Sequence, residues 1–260
     1  MKTIAICTNK GGAAKSTTAI NLAFNLRRRG NRVLVVDCDS QVGSLSLSLV
    51  GSESPAFNTA VMITDGCTPF EAVTTASNDW LNLHYIAGSK QIAGAEIRLA
   101  SEPGSESRLK AALNQLDNEY DYCIIDTPPT RSLIVFNALI AANYVLVPVS
   151  VGILDFAGIT GIMELIEQVK KYSNPNLQLL GILLTRWTKN KLAKDLEKKI
   201  RGLFPNKVFQ TVIPEAVATG VSWANKLPLT TSAPDSPATL AYLQATQEIL
   251  NHEHQKRIAG

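Results

Sequence analysis

Two lysines flank a glycine-rich turn that directly follows the first apolar segment of the chain, residues 3–7. The turn and the residues after it read Asn9-Lys10-Gly11-Gly12-Ala13-Ala14-Lys15-Ser16-Thr17-Thr18. When a strand, a turn and a helix follow one another in this order, several backbone N–H groups of the turn point to one place, and the positive end of the helix dipole favours an anion there. The residue types and their order therefore predict a phosphate-binding loop.

The side chains of this loop fit a nucleotide with a bound metal ion. Gly11 and Gly12 lack a Cβ, so the backbone can approach a phosphate and adopt a positive φ. Lys15 can reach the β- and γ-phosphates, the Ser16 hydroxyl can ligate Mg²⁺, and Thr17 is expected near the α-phosphate. The alternative is a strand-to-helix turn with an incidental lysine, and the register of Lys-Ser-Thr with the helix disfavours it. The predicted nucleotide-binding residues of the loop are Lys10, Gly11, Gly12, Ala13, Ala14, Lys15, Ser16 and Thr17.

Ala14 departs from the usual pattern of such loops. The common form, G-x-x-x-x-G-K-[ST], has glycine at the position that Ala14 occupies here. If this position requires a positive φ, alanine costs about 1 kcal/mol there. We therefore expect nucleotide binding to persist and affinity or turnover to be altered.

Carboxylates follow two further apolar runs that are predicted as strands. Asp37 ends the run 32–37 and Asp39 follows two positions later, and Asp126 ends the run 123–126, before Thr127-Pro128-Pro129. In doubly wound folds ligands bind at the carboxyl ends of the strands, so these side chains are expected to face the loop. Asp126 is predicted to hold Mg²⁺ through water, and the two prolines to stiffen a segment that senses the γ-phosphate. For Asp37, a purely local role in capping the next turn is an open alternative.

Alternating apolar strands and amphipathic helices predict the scaffold that positions these residues: an α/β fold with a doubly wound, mostly parallel sheet and helices on both faces. The predicted strands are 3–7, 32–37, 81–87, 123–126, 144–149, 179–185 and 208–213. The predicted helices are 15–29, 107–116, 133–141, 159–172, 191–204 and 237–252, with a short one at 69–74. Residues 51–80 have the least regular pattern. One domain is expected over residues 1–252, followed by a polar tail at 253–260.

Composition narrows the class of protein. The chain has 260 residues, of which 45% are hydrophobic and 18% charged, with a net charge of +3, which suits one substantial core. It contains no apolar run of the roughly 18 residues that a transmembrane helix needs, and no signal peptide is expected. The cysteines are Cys7, Cys38, Cys67 and Cys123. They lack CxxC spacing, and we expect no iron–sulfur site. Cys7 and Cys123 lie in apolar strands and are expected to be reduced core residues of a cytoplasmic protein.

These motifs resemble those of the ParA/MinD family of ATPases. Residues 10–16 match the deviant Walker A motif K-G-G-x-G-K-[ST] except at Ala14, and residues 37–41 match D-x-D-P-Q except at Ser40. The resemblance covers nearly the whole chain and is to a small ParA without an N-terminal helix-turn-helix. Further matching segments are residues 93–96, 108–110, 121–122, 126–129, 181–185 and 212–215.

The resemblance implies a Mg²⁺-dependent ATPase that is slow and is stimulated by a partner protein. It assigns Lys10 as the signature lysine, which reaches the nucleotide of the other subunit, so that ATP holds a homodimer together and hydrolysis dissolves it. It also implies that Asp39 positions or polarises the attacking water and that Asp37 supports the metal region. Implied adenine contacts fall near Arg186 and Pro214. The expected catalytic residues are Lys10, Lys15 and Asp39, and the expected metal-site residues are Ser16, Asp39 and Asp126.

A basic segment lies at residues 186–201, where seven basic residues and two acidic ones give a net charge of +5. Leu192, Leu196 and Ile200 recur every four residues and predict a helix with one buried face and a basic outer face. Such a face suits the DNA backbone without base-specific readout. An ordinary solvated helix is the alternative, and Glu215 stands where ParA proteins often have arginine. The predicted DNA-binding residues are Arg186, Lys189, Lys191, Lys194, Lys198, Lys199 and Arg201.

The function expected from this resemblance is that of a cytoplasmic, nucleoid-associated ParA-type ATPase. With ATP it would dimerise, bind non-specific double-stranded DNA, and segregate or position a plasmid, a chromosome or a protein-based body with a ParB-like or cargo-adaptor activator. A MinD-like membrane-associated positioning ATPase is the alternative, but residues 251–260 are too polar to insert well into a membrane. A metabolic enzyme that uses the loop for phosphorylation or redox coupling is a third class, and no further site for it is visible in the sequence.

Overall fold

A parallel sheet forms the centre of the computed structural model, which describes residues 1–40, 45–50, 55–150 and 156–259. Within these ranges the strand order is β3-β4-β2-β5-β1-β6-β7-β8. Neighbouring strands are parallel except β3 and β4, which are antiparallel. The strands are β1 (Lys2–Ile6), β2 (Val33–Asp37), β3 (Val73–Thr75), β4 (His84–Ile86), β5 (Tyr122–Asp126), β6 (Tyr144–Ser150), β7 (Gln178–Trp187) and β8 (Val208–Pro214).

Helices connect the strands and cover both faces of the sheet, which confirms the predicted fold class. They are α1 (Lys15–Arg28), α2 (Leu45–Val50), α3 (Thr59–Ile63), α4 (Pro69–Ala72), α5 (Gln91–Leu99), α6 (Arg108–Gln115), α7 (Leu133–Ala141), α8 (Phe156–Tyr172), α9 (Lys191–Leu203), α10 (Val217–Asn225), α11 (Leu229–Ser232) and α12 (Pro237–Ala259).

Side chains alternate between the two faces of each central strand and build two apolar clusters. Ile4, Ile6 and Ile124 pack on the face that α1 and α12 cover. Ala5 and Ile125 pack on the other face, against helices α5 to α8. Because a parallel sheet with helices on both sides buries both faces of its strands, these strands read in the sequence as continuous apolar runs.

The differences from the predicted elements have local causes. The predicted strand 81–87 is shortened to β4 because Leu81 and Asn82 have φ values of 53° and 51°, which no strand residue adopts. The predicted helix 69–74 ends at Ala72, where the chain turns into the edge strand β3. The backbone of α12 continues to Ala259, beyond the predicted end at residue 252. The predicted division at residue 252 stays a prediction.

The cysteines are unpaired, and most of them lie in the core. Cys7, Cys38 and Cys123 are buried, and Cys67 is half-buried. Burial raises the pKa of the Cys7 thiol to about 11, so this thiol stays protonated at neutral pH. Among the described helices, none combines the length and the apolar character that crossing a membrane would need.

The order of the strands places the candidate site. The chain leaves β1 toward β2 on one side of it, and the later strands β6, β7 and β8 extend the sheet on the other side. Such a reversal of strand order opens a crevice at the carboxyl ends of the strands. Across that edge, Asp126 pairs in register with Ile6 and with Asp37. The loop after β1 and the two predicted acidic positions therefore meet at one place.

Candidate nucleotide and metal site

The loop after β1 has the backbone conformation of a tight turn that ends in a helix. Ala14 is the N-cap of α1, with φ 60° and ψ 34° in the left-handed region. The condition posed for this alanine in the sequence analysis is therefore met, and the conformation costs roughly 1–2 kcal/mol for a residue with a Cβ. Gly12 also has a positive φ, of 75°, whereas Gly11 does not, so only one of the two glycines uses its conformational freedom.

Lys15 is the first residue of α1 and is buried, with 7% of its surface exposed. Burial lowers the pKa of its amine, and the charges of Asp126 and Asp39 oppose that shift. An ammonium group removed from water is stable only beside opposite charge. The structure therefore brings the lysine and the two predicted carboxylates together on one side of the loop.

Asp126 ends β5 and has no exposed surface. Neither of its carboxylate oxygens has a hydrogen-bond partner of good geometry among the described residues. Burial and the charge of Asp37 raise the pKa of Asp126 well above its usual range, while the Ser16 hydroxyl and Lys15 oppose that shift. Because a buried carboxylate that accepts no hydrogen bond of good geometry is costly, this arrangement fits a bound cation, and the Ser16 hydroxyl is a neighbouring oxygen.

Asp37 has a structural role in the turn after β2. One of its oxygens accepts the N–H of Asp39 at 2.9 Å, and the other accepts the N–H and the hydroxyl of Ser46 at the start of α2. The Ser46 hydroxyl in turn accepts the Gly88 N–H at 2.8 Å. These contacts support the capping alternative for Asp37.

Asp39 lies next to that turn and is almost buried, with 9% of its surface exposed. Its backbone N–H is fixed by the Asp37 carboxylate, which sets the direction of the chain as it passes the loop. A Cβ at Gly88 would come within 2.7 Å of the Asp39 carbonyl oxygen, so glycine is required there for the close approach. Ser40 is half-buried, and Gln41, the last residue of the motif, lies outside the described residues.

Two residues that the sequence analysis did not select hold the loop from distant parts of the chain. The Thr185 hydroxyl at the end of β7 donates to the Ala13 carbonyl at 3.2 Å. The Trp223 indole N–H on α10 donates to the Thr17 hydroxyl oxygen at 3.1 Å. Since the Thr17 oxygen accepts this bond, its hydrogen can still be donated to a phosphate. Thr185 ends the family-matching segment 181–185, which gave it no role, and no local motif marks Trp223.

Arg186 lies on the rim of the loop. A Cβ built on Gly12 would be 3.8 Å from one of its terminal nitrogens. Its guanidinium pairs with Glu215 at 2.7 Å, and both side chains are about half exposed. Pro214, which precedes Glu215, pairs in register with Trp187 on β7. The two predicted adenine contacts therefore lie on neighbouring strand ends beside the loop, and their contact with a base stays a prediction.

The basic helix α9 begins with Asn190 as its cap, whose side chain accepts the Ala193 N–H at 2.8 Å. The predicted burial of Leu192 is wrong, because its side chain is 63% exposed. Ala193 and Ile200 are buried and Leu196 is half-buried. The buried face therefore follows a period near 3.6 residues rather than the four-residue spacing of Leu192, Leu196 and Ile200.

Arg201 belongs to the fold more than to the outer face of α9. Its guanidinium pairs with Glu197 and donates to the carbonyls of Phe209 at 2.9 Å and Gln210 at 3.3 Å, which ties α9 to β8. The remaining predicted DNA-binding lysines are exposed on or just before the helix. They are Lys189, Lys191, Lys194, Lys198 and Lys199.

Comparison with known proteins gives consistent matches along the chain. The family model described as "AAA domain" matches residues 1–179. The chromosome-partitioning ATPase Soj of Thermus thermophilus is 35% identical over 251 residues, which cover 96% of each chain.

Solved structures match over nearly the full length as well. The cobyrinic acid a,c-diamide synthase of Mycobacterium smegmatis with bound ADP and magnesium has a TM-score of 0.85 at 28% identity, covering 98% of this chain and 96% of that one. The ATP complex of a single-residue variant of McdA from Cyanothece has a TM-score of 0.86 at 25% identity, covering 96% of both chains.

Proposed function

Because this chain belongs to the ParA family of partition ATPases, we propose that it is an ATP-dependent dimerisation switch that acts on DNA. ATP with Mg²⁺ holds two copies together, the dimer binds DNA of any sequence, and slow hydrolysis stimulated by a ParB-like or cargo-adaptor protein releases it. The cargo is a plasmid, a chromosome or a protein-based body. The observation that carries this proposal is the loop with two lysines in different surroundings, Lys15 buried among carboxylates and Lys10 partly exposed.

The nucleotide site is formed by the loop and by the carboxylates beside it. Backbone N–H groups of residues 11–16 and the Lys15 amine bind the phosphates, and the Thr17 hydroxyl donates to them as well. Ser16 and Asp126 would hold Mg²⁺, with Asp39 close by, and the ion would supply positive charge beside the phosphates. Asp39 orients the attacking water, because its backbone is fixed by Asp37 and its carboxylate lies near Lys15.

Lys10 has a separate role at the dimer interface. It lies at the start of the loop and is partly exposed, so a second subunit that faces the loop can bring its own nucleotide within reach. Lys15 is enclosed by its own subunit and acts on its own nucleotide. The difference in burial supports this proposal, in which Lys15 binds the phosphates of its own subunit and Lys10 those of the other.

The exposed lysines of α9 provide the proposed DNA surface. In a dimer the helix is present twice, and lysines without base contacts bind the phosphate backbone regardless of sequence. If four lysines of each protomer contact phosphates, the slope of log affinity against log salt is about −7. Leu192, which is exposed but apolar, is not part of this surface. Arg201 is excluded as well, because its guanidinium is engaged by carbonyls of β8.

The likeness to a biosynthetic enzyme of the same fold does not favour a metabolic role for this chain. Both chains share the sheet and the loop, which bind nucleotide in many contexts. The partition ATPase of Thermus thermophilus is the more similar sequence over the same length, at 35% against 28% identity. Among the residues that the structure describes, no cluster of three or more His, Cys, Asp or Glu side chains forms a separate metal site.

Sedimentation velocity with ATP or ADP tests the switch directly. We expect a dimer with ATP and a monomer with ADP, an ATP-bound monomer for Lys10→Ala, and no nucleotide binding for Lys15→Ala. A DNA mobility shift over a salt series tests the surface: Lys194→Ala with Lys198→Ala should reduce the salt slope to about half. The control, Lys110→Ala, removes an exposed lysine from α6 and should leave the slope unchanged. Binding to lipid vesicles without binding to DNA would contradict the proposal.

A further inference from the structure

A second cavity lies at the end of the sheet opposite to the loop, where β2 and β4 begin. Its volume is about 300 Å³, which is in the range of small-molecule sites. The first residues of these two strands, Val33 and His84, line it together with the last turn of α1. The edge strand β3, helix α4 and the segment after α6 complete the walls. No residue of the proposed nucleotide, metal or DNA site takes part in it.

Arg27 supplies a cation with donors to spare. Its Nε donates to the Leu81 carbonyl at 3.1 Å, which holds the half-buried side chain in place. Its terminal nitrogens have no partner among the described residues. Arg32 also lines the cavity, but its guanidinium is engaged by the Asp121 carboxylate and the Asn118 carbonyl. Arg27 is therefore the guanidinium in this cavity that can bind an anion.

His84 supplies a second donor. Its Nδ1 lies 2.9 Å from the Tyr120 hydroxyl. Burial raises the pKa of Tyr120 to about 12, so the phenol keeps its hydrogen. Burial and the charge of Arg27 lower the pKa of His84, so its ring is neutral at pH 7. Since the phenol has no other acceptor among the described residues, Nδ1 accepts its hydrogen and Nε2 carries the ring's own N–H.

The remaining walls are mostly apolar. Val33, Val73 and Leu116 line the interior, and the ring of Phe70 is 56% exposed at the cavity. Glu119 also lines the cavity, and its side chain is exposed to solvent. The cavity thus combines an aromatic and aliphatic wall with a guanidinium and an imidazole N–H.

A ligand with a flat apolar body and one carboxylate matches this arrangement. A guanidinium binds a carboxylate through two parallel hydrogen bonds, and such charge-assisted bonds are stronger than neutral ones. We propose that this cavity is a binding site for a small aromatic carboxylate, whose carboxylate contacts Arg27 and His84 and whose ring packs against Phe70 and Val73.

Calorimetric titration of the full chain with 2-naphthoate tests the site, with 2-naphthamide as its neutral counterpart. We expect saturable binding of 2-naphthoate, weaker binding of the amide, and a loss of about tenfold or more for Arg27→Met. Arg28→Met is the matched control, because it removes the neighbouring, exposed arginine of the same helix end and should bind like the unchanged protein. Phe70→Ala alters an exposed residue and should also weaken binding, which keeps the test valid if Arg27→Met disturbs the fold.

Equal affinity of 2-naphthoate and 2-naphthamide, or unchanged affinity in both Arg27→Met and Phe70→Ala, would overturn the proposal, as would absence of saturable binding. The His84 ring signals, identified by their loss in His84→Gln, should shift with 2-naphthoate in NMR spectra. ATP binding by Arg27→Met should stay normal, because the cavity and the loop lie at opposite ends of the sheet. The outcome is therefore independent of the proposed ATPase function.

Discussion

Ala14 holds a left-handed backbone conformation in the phosphate-binding loop, and this makes Ala14→Gly a sharp test of the loop geometry. With φ 60° and ψ 34°, the Cβ of this alanine approaches backbone atoms that glycine would not meet. No hydrogen bond is lost by the change, since the Ala14 carbonyl still accepts the Thr18 N–H at 2.9 Å. The substitution therefore changes the conformational energy of one residue and little else.

The magnitude follows from two opposing terms. Relief of the left-handed strain stabilises the folded state by roughly 1–2 kcal/mol. The greater freedom of glycine in the unfolded chain opposes this by about 0.4–1 kcal/mol. We therefore expect a net stabilisation of about 0.5–1 kcal/mol, which for a chain of this length raises Tm by about 1–2 °C.

Urea unfolding and thermal unfolding of the nucleotide-free protein measure this difference. Ala13→Gly is the matched control, because Ala13 is buried, precedes Ala14 in the same loop and has no positive φ. Glycine at position 13 should destabilise the fold by about 0.5–1 kcal/mol. The reasoning is refuted if the two variants change stability in the same direction, or if Ala14→Gly lowers it.

Three further predictions concern the site around the loop. Asp126→Asn should stabilise the nucleotide-free protein above pH 7 and abolish its Mg²⁺-dependent ATP binding. Because burial raises the folded-state pKa of Asp126, the difference in the free energy of unfolding between the variant and the unchanged protein should shrink as the pH falls toward the unfolded-state pKa. A difference that widens in acid would contradict this. Trp223→Phe should weaken ATP binding by about threefold to tenfold in a titration, because the hydrogen bond that orients Thr17 is lost, and unchanged affinity would show that this bond is unimportant. Asp39→Ala should bind ATP and accumulate as a dimer in gel filtration, because the water is no longer oriented; unchanged phosphate release would refute this role.

The sequence predicted the local parts of the site well and the long-range parts poorly. The strand–turn–helix order of the loop and the ends of the strands follow from residue order, and the structure bears them out. At Ala14 the sequence posed a positive φ only as a condition, and the structure meets it. The sequence analysis missed the roles of Thr185 and Trp223 because both contacts are distant in sequence. Thr185 contacts Ala13, which lies 172 positions earlier in the chain, and Trp223 contacts Thr17, which lies 206 positions earlier. No periodicity or motif records such a contact, which depends on how the strand ends and α10 meet in the fold.

Element boundaries failed for a related reason. The sequence analysis did not predict helices α2, α3, α5, α10 and α11, which are all short, and α5 and α10 also contain glycine. Their stability comes from tertiary packing, since isolated helices of this length are marginal in water. Leu192 was wrongly assigned to the core. Apolar residues that recur every four positions do not stay on one face of a helix whose period is 3.6 residues.

Asp37 and Asp126 show why position at a strand end does not by itself define a role. Both carboxylates are fully buried and pair in register across β2 and β5. Asp37 accepts hydrogen bonds at both oxygens from Asp39 and Ser46, so its charge is already stabilised by the fold. Asp126 accepts no hydrogen bond of good geometry among the described residues, and the Ser16 hydroxyl and Lys15 only partly offset its desolvation. The same residue type, one strand apart, therefore builds the turn in one case and leaves a buried carboxylate for the proposed metal site in the other.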